Sequence, residues 1–284
     1  MAVPTFAHLH DMDGDFLKTL IVFWALLLSM PLSAAQLELQ LGTTHRTWQT
    51  AELLKHPQVQ NLTIKNDVSY KKDMTYRVVP VAALLTGIKS DDHLQAVALD
   101  GFAAELSAAP LLNTKGARAW LAIEDPAQPW PPLSEGKHSA GPFYLVWTDP
   151  QAGNISPEQW PFQVASIKRM APVAERFPAL LPDPKLKADD PVNQGFALFQ
   201  KNCLACHRLN GAGDAQFGPD LNIPYNPTEY FGADFLKRYI RDPQSLRQWP
   251  QAKMPGFSVD VLPEGDLQLL IGYLQHMAGR KVKP

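Results

Sequence analysis

The chain has 284 residues, 45% of them hydrophobic, which is enough for two domains with buried cores. Its formal charge is −2 and no run of lysine or arginine interrupts it, which sets nucleic-acid binding aside. It contains only two cysteines, Cys203 and Cys206, so no further thiol can complete a cysteine-rich metal site.

In chain order, residues 1–35 read as a secretory signal peptide. The unbroken apolar run LIVFWALLL (Leu20 to Leu28) follows Lys18 and precedes PLSAAQ, whose Ser33 and Ala35 are the small residues of a cleavage site. The run is shorter than the ~20 residues that a membrane-spanning helix needs, and left uncleaved it would serve as an anchor. Asp11, Asp13 and Asp15 sit where a signal peptide is normally positive, and Met12 is an alternative start. The expected compartment is the periplasm.

Residues 36–176 read as a mixed α and β domain. TAELLKHP predicts a short helix with Thr50 as its N-cap, and PVAALLTG a second with Pro80 in its first turn and Gly87 at its end. HLQAVALDGFAAEL places Asp100-Gly101 between two apolar runs, which predicts a hairpin. ARAWLAIE, GPFYLVWT and WPFQVASI predict strands from their aromatic and β-branched content, with proline-rich DPAQPWPPLSEG between the first two. Candidate chemistry is sparse. His45, His56, His93 and His138 lack metal-ligand spacing. Asp91-Asp92 and Glu124-Asp125 are adjacent carboxylates, which on a strand face opposite ways and form no catalytic pair.

The order YRVVPVAALLTGI, aspartate-glycine hairpin, strand, SAGPFYLVW resembles the sulfite-oxidase-type molybdopterin-binding domain. That resemblance implies an α+β fold and a cysteine thiolate on molybdenum at a place near Lys65 in LTIKND. No cysteine stands there, so the domain is expected to work without molybdenum, as a docking or binding module.

FPALLPDPKLKADDPVN, from residue 177, carries four prolines and mixed charge with no apolar period, and residues 177–192 read as a linker. CLACH follows at residues 203–207. A zinc site would want a second Cys/His pair, and a redox pair would want its first cysteine at a helix start, whereas this one follows the helix-like GFALFQKN. An isolated disulfide would leave His207 without a role. Haem attachment uses everything present: two thiols spaced for two vinyl groups, and an imidazole on the next residue for the iron. For the opposite axial position the candidate is Met254 in KMPGF, where Pro255 and Gly256 favour an extended loop. Met277 and His276 compete chemically, but the periodicity of DLQLLIGYLQHMAG puts them on a C-terminal helix, Met277 as core and His276 near its end.

From about Asn193 to the C-terminus, QGFALFQKNCLACH, GPDL, KMPGF and LIGYLQHM resemble a class I c-type cytochrome. The resemblance implies a small all-α domain over residues 193–284 in which a helix carrying Gly195 and Phe199 crosses one carrying Tyr273. It implies that Pro219 offers its carbonyl to His207, that GADFLKRYIRDP forms the middle helix, and that Trp249 lies near a haem propionate. One covalent haem c held by Cys203, Cys206, His207 and Met254 suits a periplasmic carrier of single electrons between redox proteins. The competing expectation is a sulfite-dehydrogenase-like molybdopterin enzyme that passes electrons to its own haem. Residues 190–284 hold ten Lys/Arg against nine Asp/Glu, a net of +1, which predicts no strong electrostatic steering of a partner.

Overall fold

The computed structural model describes residues 35–215, 217–248 and 254–282. The signal segment and Trp249 lie outside the described residues. Among those described, no helix is long and apolar enough to cross a membrane.

The N-terminal part is β-rich and built from two sheets. One has the order β2-β1-β9-β5-β6, from β1 (Gln36–Leu41), β2 (Thr44–Gln49), β5 (His93–Ala98), β6 (Ala103–Ser107) and β9 (Val164–Met170). The other has the order β3-β4-β7-β8, from β3 (Gln60–Ile64), β4 (Met74–Pro80), β7 (Arg118–Ile123) and β8 (Phe143–Thr148). β1 alternates, with Leu37, Leu39 and Leu41 buried and the residues between them more exposed, as a sheet with one wet face requires. Residues 119–123 of β7 and 143–147 of β8 are buried throughout, because both faces of these strands are covered. All strand pairs are antiparallel except β1 with β9, so the last strand returns beside the first.

Helices are minor here: α1 (Thr50–Leu53), α2 (Val81–Leu84) and α3 (Ala108–Leu111) are single turns. Thr50 is not the cap of α1. Its hydroxyl donates to the Ala35 carbonyl at 3.0 Å, and the cap is Gln49, in a reciprocal box with Glu52. Pro80 likewise caps α2 from outside, and Gly87 lies beyond its end at φ +83°. The hairpin joins β5 and β6, with Gly101 at φ +89°.

A second core begins at Val173 and runs to Met277. Its elements are α4 (Val173–Arg176), α5 (Pro191–Asn202), α6 (Pro227–Tyr230), α7 (Ala233–Arg241), α8 (Pro243–Leu246) and α9 (Glu264–Ala278). Asp190 starts α5 by accepting from the Val192 N–H at 2.9 Å, with Pro191 in the first turn, where its missing donor costs nothing. α5 crosses α9 at Gly195, where a Cβ would lie 2.2 Å from the Leu269 carbonyl oxygen and 2.7 Å from Tyr273 Cβ. Phe196 and Phe199 pack on the Tyr273 ring. Alanine normally gains about 1 kcal/mol over glycine inside a helix. At this crossing the clash is with a backbone oxygen that cannot rotate away, so overpacking wins. Gly195→Ala is therefore expected to lose about 2 kcal/mol or more, read as a lower urea midpoint with unchanged slope.

The proline-rich segment 177–192 is packed rather than free. Leu180 is fully buried in the second core and its carbonyl accepts from the Tyr273 hydroxyl at 2.7 Å. The Asp183 N–H donates to His276 Nε2 at 3.0 Å, and the Asp183 carboxylate pairs with Arg280 at 3.1 Å. A leucine pair among prolines and charges has no periodicity to betray it, and the hydroxyl that Leu180 meets belongs to a residue 93 positions away.

The two cores meet along a buried polar junction. Arg176 donates to both oxygens of Glu105 at 2.7 Å and to Asp214 at 2.6 Å. Gln95 donates to Glu105 at 2.8 Å and Asp214 at 2.7 Å, and His93 Nε2 makes a short contact with the other Glu105 oxygen. Phe102 of the hairpin meets Phe217 edge to face. The β-rich part is thereby seated against Asp214 and Phe217, in the loop that follows CLACH.

Candidate haem-binding site

α5 ends at Asn202, and the chain continues in one tight turn. Cys206 and His207 N–H groups both donate to the Cys203 carbonyl, at 3.0 and 2.8 Å. That turn holds two thiols and an imidazole together at the end of a helix, and Leu204 and Ala205 between them are buried. Both cysteines are free thiols. Burial, then the charge of Glu158, pushes the Cys203 thiol well above its ordinary range and the Cys206 thiol up to about 11.

His207 Nδ1 lies 2.9 Å from the Pro219 carbonyl oxygen. A carbonyl can only accept, so Nδ1 carries the hydrogen and the neutral ring keeps a lone pair on Nε2. Burial pulls the imidazole below the usual histidine range, against the Pro219 bond and the Asp220 charge, which act the other way. Next to Pro219, Gly218 leaves the ring uncovered: a Cβ there would sit 2.3 Å from His207 Cε1. The loop holding both residues is tied down by Asp220. Its Oδ1 accepts from the N–H groups of Asn210, Asn222 and Ile223 at 3.1, 2.8 and 2.9 Å, and its Oδ2 from Gly211 at 2.6 Å. Buried Asn222 and Asn226 then bind the carbonyls of Met277 and Leu274 on α9, at 2.7 and 2.9 Å.

Met254 is partly buried against the second core, in a stretch without helix or strand. The stretch is pinned to the end of α7. The Phe257 N–H donates to the Ile240 carbonyl at 3.1 Å, and a Cβ on Gly256 would lie 2.5 Å from the Arg241 oxygen. Arg241 also donates to the Phe257 and Ser258 carbonyls, at 3.0 and 3.2 Å. Met277, by contrast, is 1% exposed inside α9, and His276 is engaged by the Asp183 N–H.

The donor set suits a haem: free thiols at the required spacing, an imidazole with an available Nε2, a ring face kept open by glycine, and a thioether on a pinned loop. Cys203 and Cys206 would hold its vinyl carbons, and His207 and Met254 its iron. Among the described residues, no three His, Cys, Asp or Glu side chains gather as a metal site.

In the β-rich part, Lys65 is exposed and pairs with Asp73 at 2.6 Å. Two residues on, Asp67 is fully buried but satisfied, by the hydroxyls of Tyr76 and Tyr144 at 3.0 and 3.2 Å and the N–H groups of Ser69 and Tyr70 at 2.9 Å. His56 accepts from Gln58, His45 and His138 are exposed, and His93 belongs to the junction. Asp92 pairs with Arg169 at 2.6 Å, Asp91 is exposed, Glu124 accepts from Trp130 and Ser139, and Asp125 faces Arg77 at 3.7 Å.

The importance of Asp220, of the asparagine pair and of Arg241 is not visible as a motif, although Asp220 stands inside GPDL. Residues 192–278 match the family model for cytochrome c, and a domain of that family implies covalent haem c and haem-based electron transfer. No curated protein matches the chain.

Proposed function

We propose that this chain, with its C-terminal cytochrome c domain, is an exported periplasmic carrier of single electrons between redox proteins, with His207 and Met254 as axial ligands to one haem. The observation that carries the reading is the CLACH turn with His207 Nδ1 on the Pro219 carbonyl, which fixes the tautomer and makes Nε2 a stronger donor. Bound there, haem c supplies reversible one-electron chemistry. The chain's own residues do the rest. Asp220 and Arg241 hold the loops that carry His207's partner Pro219 and Met254. With both residues on the iron, no position would remain for a substrate. The β-rich part acts in this reading as a docking module seated on the haem loop through Arg176, Glu105 and Asp214.

The test is expression in a host with c-type haem maturation. The denatured chain should keep its colour and gain the mass of one haem, and a redox titration should show one one-electron step. A colourless chain of unmodified mass would overturn the proposal.

A second reading has one observation behind it: the β-rich part contacts the haem-bearing segment directly, as an internal electron donor would. In it the first domain holds a molybdopterin cofactor. The absence of any cysteine in that domain weighs against it. Near-stoichiometric molybdenum in protein from a cofactor-competent host would establish it, and iron alone would reject it.

A further inference from the structure

The loop that offers Pro219 to His207 is held on one side by the other domain. Asp214 accepts from Arg176 at 2.6 Å and from buried Gln95 at 2.7 Å. Phe217 meets Phe102 with ring centroids 6.5 Å apart. Gln95 and Phe102 both belong to the hairpin of β5 and β6, whose tip is closed by its own bonds. There the Ala98 N–H donates to the Phe102 carbonyl at 2.8 Å, and the Phe102 N–H to the Asp100 carboxylate at 3.1 Å. The Leu99 N–H donates to the Gln163 carbonyl at 2.9 Å, which ties the tip to the segment entering β9.

From Phe217 the chain leads directly to the imidazole. The Gly218 N–H donates to the Cys206 carbonyl at 2.8 Å, and a Cβ on Gly218 would lie 2.4 Å from His207 Nδ1, so this backbone rests against the ring. The next carbonyl, that of Pro219, accepts from Nδ1 at 2.9 Å. On its far side Asp220 pins the chain within the cytochrome c domain, through the N–H groups of Asn210, Gly211, Asn222 and Ile223. The Pro219 carbonyl is thus suspended between an anchor in its own domain and one in the other. The chemistry of the second anchor suits a part that sets position. An apolar contact would tolerate a slide, whereas an Arg176 fork shared between the Glu105 and Asp214 carboxylates has one register.

We infer that Gln95 and Phe102 are positioning residues for the haem: by fixing Asp214 and Phe217 they set the bond from His207 Nδ1–H to the Pro219 carbonyl, and through it the donor strength of Nε2. The β-rich domain then does more than dock, because it completes the support of an axial ligand. The sign follows from electron donation. A well-aligned bond on Nδ1 makes the ring more basic, which favours the ferric state, so slackening that bond raises the midpoint potential. Water admitted near the ring moves the potential the other way, since a polar medium favours the more charged ferric centre. The direction of the shift separates a lost positioning contact from a loosened core.

The inference rests on the haem reading above, and the test separates the two. It uses the reduced, haem-loaded full chain, in which NMR follows exchange of the His207 Nδ1 proton with solvent. Phe102→Ala should speed that exchange about fivefold, the population change that goes with loss of one such contact. Gln95→Met, which keeps the volume but donates nothing, should do the same, and both variants should carry a raised midpoint potential. Phe217→Ala should match Phe102→Ala, and combining the two should add little, since both rings act through one contact. Haem-loaded Phe102→Ala and Gln95→Met proteins with the parent's exchange rate, or with an unchanged or lowered potential, overturn this inference alone. A parent chain that takes up no haem overturns both.

Discussion

Met254→Ala is expected to lower the midpoint potential and to open the iron to added imidazole, cyanide or carbon monoxide. A thioether favours the ferrous state, because it is a neutral, weakly donating ligand, and its removal lets water or an added ligand take the position. The effect should be large in the potential and modest in the fold. Met254 is only partly buried, and the stretch that carries it is pinned by other atoms: the Phe257 N–H on Ile240 and the Arg241 guanidinium on the Phe257 and Ser258 carbonyls. Loss of a partly buried methionine costs less than the roughly 2–5 kcal/mol of a full core truncation. The spectrum and potential should therefore change while the urea midpoint moves little. An unchanged potential with no new ligand binding would remove Met254 from the site.

Arg176→Ala is expected to give the largest loss of stability, about 3–5 kcal/mol. The Arg176 and Glu105 side chains are 12% and 4% exposed, so this is a buried pair rather than a surface one. Removing the guanidinium leaves the Glu105 and Asp214 carboxylates sharing Gln95 with no guanidinium between them. The pH dependence gives a second readout. Burial pushes the Glu105 carboxyl up, but the bonds from His93, Arg176 and Gln95 outweigh it and hold the group below its ordinary value. A lowered carboxyl contributes stability that is present above the unfolded value near 4.5 and is lost as pH falls through the folded value. The gap between parent and variant should therefore be full at pH 7 and close in acid. A gap below about 1 kcal/mol at pH 7 would mean that solvent screens the junction as it does a surface pair.

Much of the site was legible because its spacing is covalent. Cys203, Cys206 and His207 lie within five residues, and the turn that holds them needs only its own backbone. The strands were legible where apolar residues alternate or run unbroken, as in β7 and β8. The caps were misplaced because Thr50 spends its hydroxyl on Ala35, fifteen residues back, a partner that local pattern does not reveal. The packing of the proline-rich segment was hidden for the same reason at longer range, since Leu180 finds its pocket only after α9 has folded.

The amino-acid order alone determined the haem-binding chemistry of this protein, since thioether spacing and an adjacent imidazole are properties of a few consecutive residues. The tertiary structure decided what surrounds that chemistry: Asp220 bracing the Pro219 loop, Arg176 joining the domains, and Leu180 seated under the Tyr273 hydroxyl. Those contacts link residues separated by as many as 93 positions, and their energies come from burial, which exists only once the chain has closed on itself.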